Sequence, residues 1–412
     1  MIGAFNKIFD DVYAKLKPSD KELRGAEKTV DEVISHIKRS ASKGDYGVHD
    51  VKVSGSFAKG TWLSGESDLD IFVMFNDENS TENLDKLVPK QFDAEFGTRK
   101  YFVGNMHGYT VQIVPLVKFE EVTKVKNSMD FSIMHMDYFN KKASASIRRD
   151  VMLLKRFCKS NDCFGSEAYI HGFSGYVLEL LVINYGSFEK LLRDACNWKP
   201  GKFIDGERIY YSKEEAMASI GANENPLVLV DPTNKYRNVC GSLNLDNFSR
   251  FVLSAKQFLD EPKKSFFDKK DKRKAILLDS KKRGTKLFTR KVKVVGPKTV
   301  FFSKYNKALN MLVEYLKSNG INLYDFHSIY NDDDVEALIE VENVPSTKTS
   351  KQIGPSLWVD KKNLDAFLNA HKTAYLDGEK LAYDKPYGIT DFNGFISKKI
   401  KEFISQKSIV EG

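Results

Sequence analysis

Apolar and polar positions alternate along this chain with a period that changes several times, and each change marks an element. Two helical patterns occupy 5–42; the second opens at the N-cap pair Ser19-Asp20 and carries Leu23, Val30, Val33, Ile34 and Ile37 at helical spacing. Apolar, β-prone runs then predict strands at about 48–53, 68–75, 98–103 and 109–118. From 145 to about 258 the period is mostly helical, with Val151, Leu154 and Phe157, then Phe173, Val177, Leu180 and Leu181, as core stripes. A strand-like stretch over 288–302 precedes a helix over 304–318, ended by Asn319-Gly320, and a further strand over 335–341. Residues 353–404 are mixed and close on a helix from Asp391 that bears Phe392, Phe395, Ile396, Ile400 and Phe403.

The pattern divides the chain into a mixed α/β head (1–144), a mainly helical neck (145–258), a basic linker with a small α+β module (259–350) and a C-terminal segment (351–412), hence an α+β multidomain protein. A chain of 412 residues, 42% hydrophobic and 29% charged, has apolar surface enough for two to four cores. No stretch approaches the ~20 apolar residues that span a bilayer, and the N-terminus lacks a signal-peptide core, so a cytoplasmic protein without a membrane partner is expected. Cys158, Cys163, Cys196 and Cys240 show no C-x-x-C spacing, which argues against a zinc site or a disulfide framework.

Chemistry concentrates at Gly55-Ser-Phe-Ala-Lys-Gly-Thr-Trp-Leu-Ser-Gly-Glu-Ser-Asp-Leu-Asp-Ile-Phe-Val-Met-Phe. Asp68 and Asp70 are two apart on an apolar strand, so both project from one face, and a divalent cation, Mg²⁺ above all, would offset the cost of gathering them there. Gly55 and Ser56 follow a strand and would form a turn whose N–H groups and hydroxyl cradle phosphates, with the charge of Lys59 nearby. The same stretch also fits an ordinary hairpin with an Asx-type turn at Ser67-Asp68.

The net charge of +8 is unevenly placed: residues 261–298 hold 15 Lys and Arg against 4 Asp and Glu. Lys263, Lys264, Lys269, Lys270, Arg273, Lys281, Lys282 and Arg283 would attract an RNA backbone through counterion release. A solvated helix face is the competing reading of such a run.

Gly55-Ser56 through Asp70 resembles the signature of polymerase-β-type nucleotidyltransferases, and the longer form with Thr61-Trp62-Leu63 resembles archaeal, class I CCA-adding enzymes. Asp150-Val-Met-Leu-Leu-Lys-Arg, Gly172-Phe-Ser-Gly-Tyr-Val-Leu-Glu-Leu-Leu, Tyr185-Gly-Ser-Phe, Asp231-Pro with Arg237-Asn-Val, and Ile353-Gly-Pro-Ser-Leu-Trp-Val continue the likeness in order. The resemblance implies a polymerase-β-like head, a helical neck, and C-terminal body and tail modules. It also implies template-independent addition of C, C and A to tRNA from CTP and ATP by two-metal nucleotidyl transfer. The tRNA would be gripped by its acceptor stem and T arm, by a monomer or a homodimer. His135, Lys155 and Phe164 match triphosphate-binding positions, and Arg237 matches a nucleobase-reading arginine; the family normally has Tyr where Phe164 stands, so a hydroxyl donor is lost.

A second departure concerns the metal. In Gly108-Tyr-Thr-Val-Gln-Ile-Val-Pro, Gln112 occupies the place of the family's third active-site Asp, pointing where a ligand should but carrying no charge. Three explanations stand: an inactivating substitution, a natural degenerate site in a protein that binds RNA without extending it, or a shifted ligand set using Glu66 or Glu95. Besides CCA addition, the alternatives are a non-catalytic tRNA-binding descendant and another template-independent RNA nucleotidyltransferase, such as a poly(A) polymerase.

Overall fold

Ser19 caps its helix as its sequence demands, with its hydroxyl accepting from the Glu22 amide while the Glu22 carboxylate reaches back to the Ser19 amide. In the computed structural model, which describes residues 2–122, 125, 127–221, 224–331, 333–343, 349–386 and 391–411, this box opens the second helix of the first of two units. That unit, Met1–Lys269, begins with α1 (Ile2–Leu16), α2 (Asp20–Ala41), β1 (Val48–Ser54), α3 (Gly55–Ala58), β2 (Asp68–Phe75), α4 (Leu84–Leu87), β3 (Asp93–Phe96), β4 (Lys100–Met106) and β5 (Tyr109–Val117). It continues through α5 (Ser132–Lys142), α6 (Ala145–Ser160), α7 (Gly175–Tyr185), α8 (Phe188–Ala195), β6 (Lys202–Ile204), α9 (Lys213–Ile220), β7 (Leu227–Asp231), β8 (Asn234–Asn238) and α10 (Leu245–Asp260).

β1 to β5 form one mixed sheet in the order β1-β2-β5-β4-β3, in which β2 and β5 run parallel and the other pairs antiparallel. Its apolar face, with Leu69, Ile71, Val73, Val111 and Ile113 fully buried, receives Ala26, Val30, Val33 and Ile37 of α2. Each such aliphatic burial contributes about 1.5–3 kcal/mol, so α2 and the sheet fix each other. α1 belongs to a different core: Phe5, Phe9, Val12 and Leu16 join Phe157, Phe188, Phe258 and Phe267 of the helical region.

The mostly helical character expected over 145–258 holds, with a small sheet added to it. α6, α7, α8 and α10 are there, but β6, β7 and β8 form a three-stranded sheet among them. β7 is buried at all five positions, so its run Leu-Val-Leu-Val-Asp shows no alternation, and an apolar run of that length does not distinguish strand from helix.

The second unit, Lys270–Gly412, holds α11 (Lys272–Arg283), β9 (Lys286–Lys293), α12 (Lys298–Ser318), β10 (Asn322–Tyr330), β11 (Asp334–Asn343), β12 (Thr349–Ser356), α13 (Lys361–Ala370), β13 (Tyr375–Asp377), β14 (Lys380–Pro386), α14 (Phe392–Phe403) and α15 (Gln406–Glu411). Its antiparallel sheet β10-β11-β9 packs against α12, and a second sheet, β12-β14-β13, carries α13. The strand expected over 288–302 stops at Lys293, because Pro297 caps α12 and turns Val300, Phe301 and Phe302 into its first turns. The basic segment is no bare linker either: 272–283 is helical, with Asp271 as its N-cap and Gly284 as its left-handed C-cap.

Candidate active site

β1 delivers the chain to Gly55, whose φ of +66° lies in the left-handed region. A Cβ there would also stand 1.8 Å from Asp70 Oδ2, so glycine is required on two counts: conformation, and backbone approach to the carboxylate. Trp62 and Leu63 anchor the loop that follows, buried at 2% and 3% exposure, and the Trp62 ring meets Phe57 and Tyr109 at 5.7 and 6.1 Å.

β2 then places the two carboxylates on the face opposite its apolar one. Asp68 is opposite Thr110 and Asp70 opposite Gln112 in the parallel β2–β5 register, with Ser54 on the other flank of Asp70. Gly55, Asp68, Asp70 and Gln112 are therefore brought together. Burial, and then the charge of Asp68, push the Asp70 carboxyl up to about 6, with Lys59 and Lys155 opposing the rise. Two carboxylates and an amide oxygen are hard donors of the kind Mg²⁺ accepts, and the repulsion felt by Asp70 is what a cation would relieve, so the residues fit the ion. Among the described residues no group of three or more His, Cys, Asp or Glu is arranged to hold a metal.

The two alternative ligands differ in their surroundings. Glu66 is engaged by Lys155 at 2.7 Å, Lys159 at 2.5 Å and the Leu63 amide at 3.1 Å. Glu95 lies on β3, paired with Tyr101 and two strands beyond β5, about 10 Å away at ordinary strand spacing.

A second constellation forms around Asp231, fully buried at the end of β7. Its Oδ2 lies 3.1 Å from His135 Nε2 on α5 and accepts from Arg237 Nη1 on β8 at 2.9 Å. Its Oδ1 accepts from the amide and hydroxyl of Thr233 and from the Tyr176 hydroxyl. Burial alone would raise this carboxyl, yet the bonds from His135 and Thr233 hold it at about 2. His135 is itself lowered, first by desolvation, and stacks on the Tyr176 ring at 3.9 Å between centroids.

Lys59 turns its ammonium to Glu179 of α7 at 2.8 Å, with both side chains nearly buried, and lies over the rings of Phe139 and Tyr176. Lys155, on α6, faces Glu66, and Phe164 is bridged through its backbone to Phe173. The basic residues separate: Lys263, Lys264 and Lys269 fall in the first unit, and Lys270, Arg273, Lys281, Lys282 and Arg283 in the second. Lys263 pairs with Glu261, Lys264 with Asp11, Lys282 with Asp279, Arg273 with Glu336 and Arg283 with the buried Glu340, so several of these charges also serve the fold.

Sequence reasoning passed over Tyr176, Glu179, Lys159 and the organising part of Asp231. Only Asp231 carried a signal, as the one acid closing the apolar run 227–230.

No described helix is long and apolar enough to cross a membrane. Residues 34–134 match the nucleotidyltransferase domain family, and 149–268 match the family described as tRNA nucleotidyltransferase, second domain. The CCA-adding enzyme of Methanothermobacter thermautotrophicus is 30% identical over 92% of this chain and 85% of its own length. That of Methanosarcina barkeri is 31% identical over 88% and 81%, and that of Nanoarchaeum equitans 28% identical over 93% and 95%.

Proposed function

From the premise that the chain belongs to the archaeal CCA-adding enzymes, a family of tRNA nucleotidyltransferases, we propose that it extends the tRNA 3′ end by C, C and A without a template, drawing on CTP and ATP and releasing pyrophosphate. The observation that carries this reading is the convergence of Asp68, Asp70 and Gln112 on one face of the sheet, with the Gly55 backbone against the Asp70 carboxylate.

In this reading Asp68, Asp70 and the amide oxygen of Gln112 hold a divalent cation, Mg²⁺ by preference. Bound there, it would stabilise negative charge on the attacking and leaving oxygens. The terminal ribose hydroxyl attacks the α-phosphorus of the bound nucleotide in line, and pyrophosphate departs on the opposite side. The turn at Gly55-Ser56 presents its amides and hydroxyl to the phosphates, with Lys155 close by. Arg237 is held by Asp231 and flanked by His135, so its donor fork is presented in one orientation for reading the base together with the primer end. Exposed lysines of the basic segment grip the acceptor and T-arm duplex by its phosphates and A-form shape, in the cytoplasm.

Trimmed tRNA given labelled CTP alone should gain two C residues and stop, and addition of ATP should complete a single A. Runaway addition of A would instead indicate a poly(A)-type activity. Gln112 beside Asp70 favours one further reading, a tRNA-binding protein with little transfer of its own. Gln112→Asp decides between the two: a gain of tenfold or more in incorporation, about 1.4 kcal/mol, marks residue 112 as the lesion, whereas an active parent with no gain removes this reading.

A further inference from the structure

Two lysines one turn apart on α6 reach the same carboxylate. Lys155 and Lys159 stand 2.7 and 2.5 Å from the two oxygens of Glu66, in the loop that precedes β2. Like charges at i, i+4 repel, and one carboxylate neutralises only one of them, so the cluster keeps a net positive charge. It does so beside the acidic pair, since Glu66 stands two residues before Asp68.

The two lysines differ in access. The side chain of Lys155 is 11% exposed and that of Lys159 35%, so Lys159 opens further to solvent. Its ammonium also lies 5.2 Å from the centroid of the Phe164 ring. At that position the family's pattern has a tyrosine whose hydroxyl donates to a phosphate. A phenyl ring donates nothing, whereas an ammonium carries three donors and a full charge.

We propose that Lys159 supplies the phosphate contact that Phe164 lacks, binding the outer phosphates of CTP or ATP together with Lys155. Glu66 is the carboxylate that both lysines leave when the more highly charged triphosphate arrives. The ring of Phe164 keeps a part in this arrangement by holding the ammonium over its face. The inference rests on the nucleotide-transfer reading above and adds a residue to its triphosphate site.

The test is Lys159→Met in the full chain, read by steady-state kinetics on trimmed tRNA and by calorimetric titration with ATP and with AMP. KM for CTP and for ATP should each rise about tenfold, the worth of one charge-assisted hydrogen bond, with kcat little changed. Affinity for ATP should fall by the same factor while that for AMP stays put, and Phe164→Tyr added to Lys159→Met should recover most of the loss. Unchanged KM and ATP affinity in Lys159→Met overturn the proposal. So does an equal loss for ATP and AMP, which would point to damage in the pocket, and so does a double variant without recovery. A parent chain that incorporates no nucleotide would refute the transfer reading instead, and the contrast between ATP and AMP would still report on Lys159.

Discussion

Asp70 is ionised at a cost to the fold. Its carboxyl titrates near 6 in the folded chain against 3.8 as the ordinary value, raised by burial and by Asp68. Below 3.8 both states carry the proton; as pH climbs to 6 the unfolded chain ionises first, and stability is lost through that window. Asp70→Asn should therefore stabilise the protein at pH 7 by about 3 kcal/mol, with the gain shrinking towards pH 4, as urea melts at the two pH values will read. Mg²⁺ should raise the melting temperature of the parent and leave Asp70→Asn unmoved; an equal rise in both would argue against a cation at this corner. Gly55→Ala, which puts a methyl group into the same carboxylate at a positive φ, should lower the unfolding midpoint and depress incorporation. The acidic pair was legible in the sequence because a strand's period of two needs only local information, whereas Gln112 was singled out by the family resemblance and only its direction by the strand period. Their surroundings were not: Glu66 and Lys155 lie 89 positions apart, His135 and Asp231 96, and Lys59 and Glu179 120, separations that only the folded chain closes.

Among the elements, α7 is tied to the turn after α3 by the Lys59–Glu179 pair, with side chains 11% and 5% exposed. Lys59→Met leaves Glu179 buried without its partner and should cost about 3–5 kcal/mol, whereas Lys59→Met with Glu179→Leu should recover most of it. Chemical denaturation of the three variants checks the cycle. α11 is fixed differently, by Arg273 to Glu336 and Arg283 to Glu340 on one face of β11, while Lys281 and Lys282 are exposed. A basic run read as a footprint thus divides into arginines that dock a helix and lysines that face water, a distinction no charge count contains. Short elements escaped sequence reading for related reasons. β3 has four residues, largely exposed, and β6 has three, too few for any period to declare itself. β10 spans nine residues, yet Asp325, His327 and Ser328 interrupt its apolar run.

For the molecule as a whole, tRNA binding should weaken steeply with salt, and Lys281→Ala with Lys282→Ala should reduce the slope of log K against log salt by about 1 per lysine while changing thermal stability little, the Lys282–Asp279 pair being exposed. An unaltered slope would remove this helix from the RNA surface. The helical core imposes a constraint of another kind. Phe9 of α1 lies 6.0 Å from Phe258 and 6.4 Å from Phe267, and Phe5 lies 5.8 Å from Phe258, ring centroid to ring centroid. During synthesis, the opening helix meets Phe188 first, at 5.2 Å from Phe9 in the finished core, and must wait for the chain to emerge past Phe267 before its set of aromatic partners is complete. The five-stranded sheet is complete by Val117, so on the ribosome it can fold early while α1 stays unclaimed, exposing a greasy stripe to any holdase that meets the nascent chain.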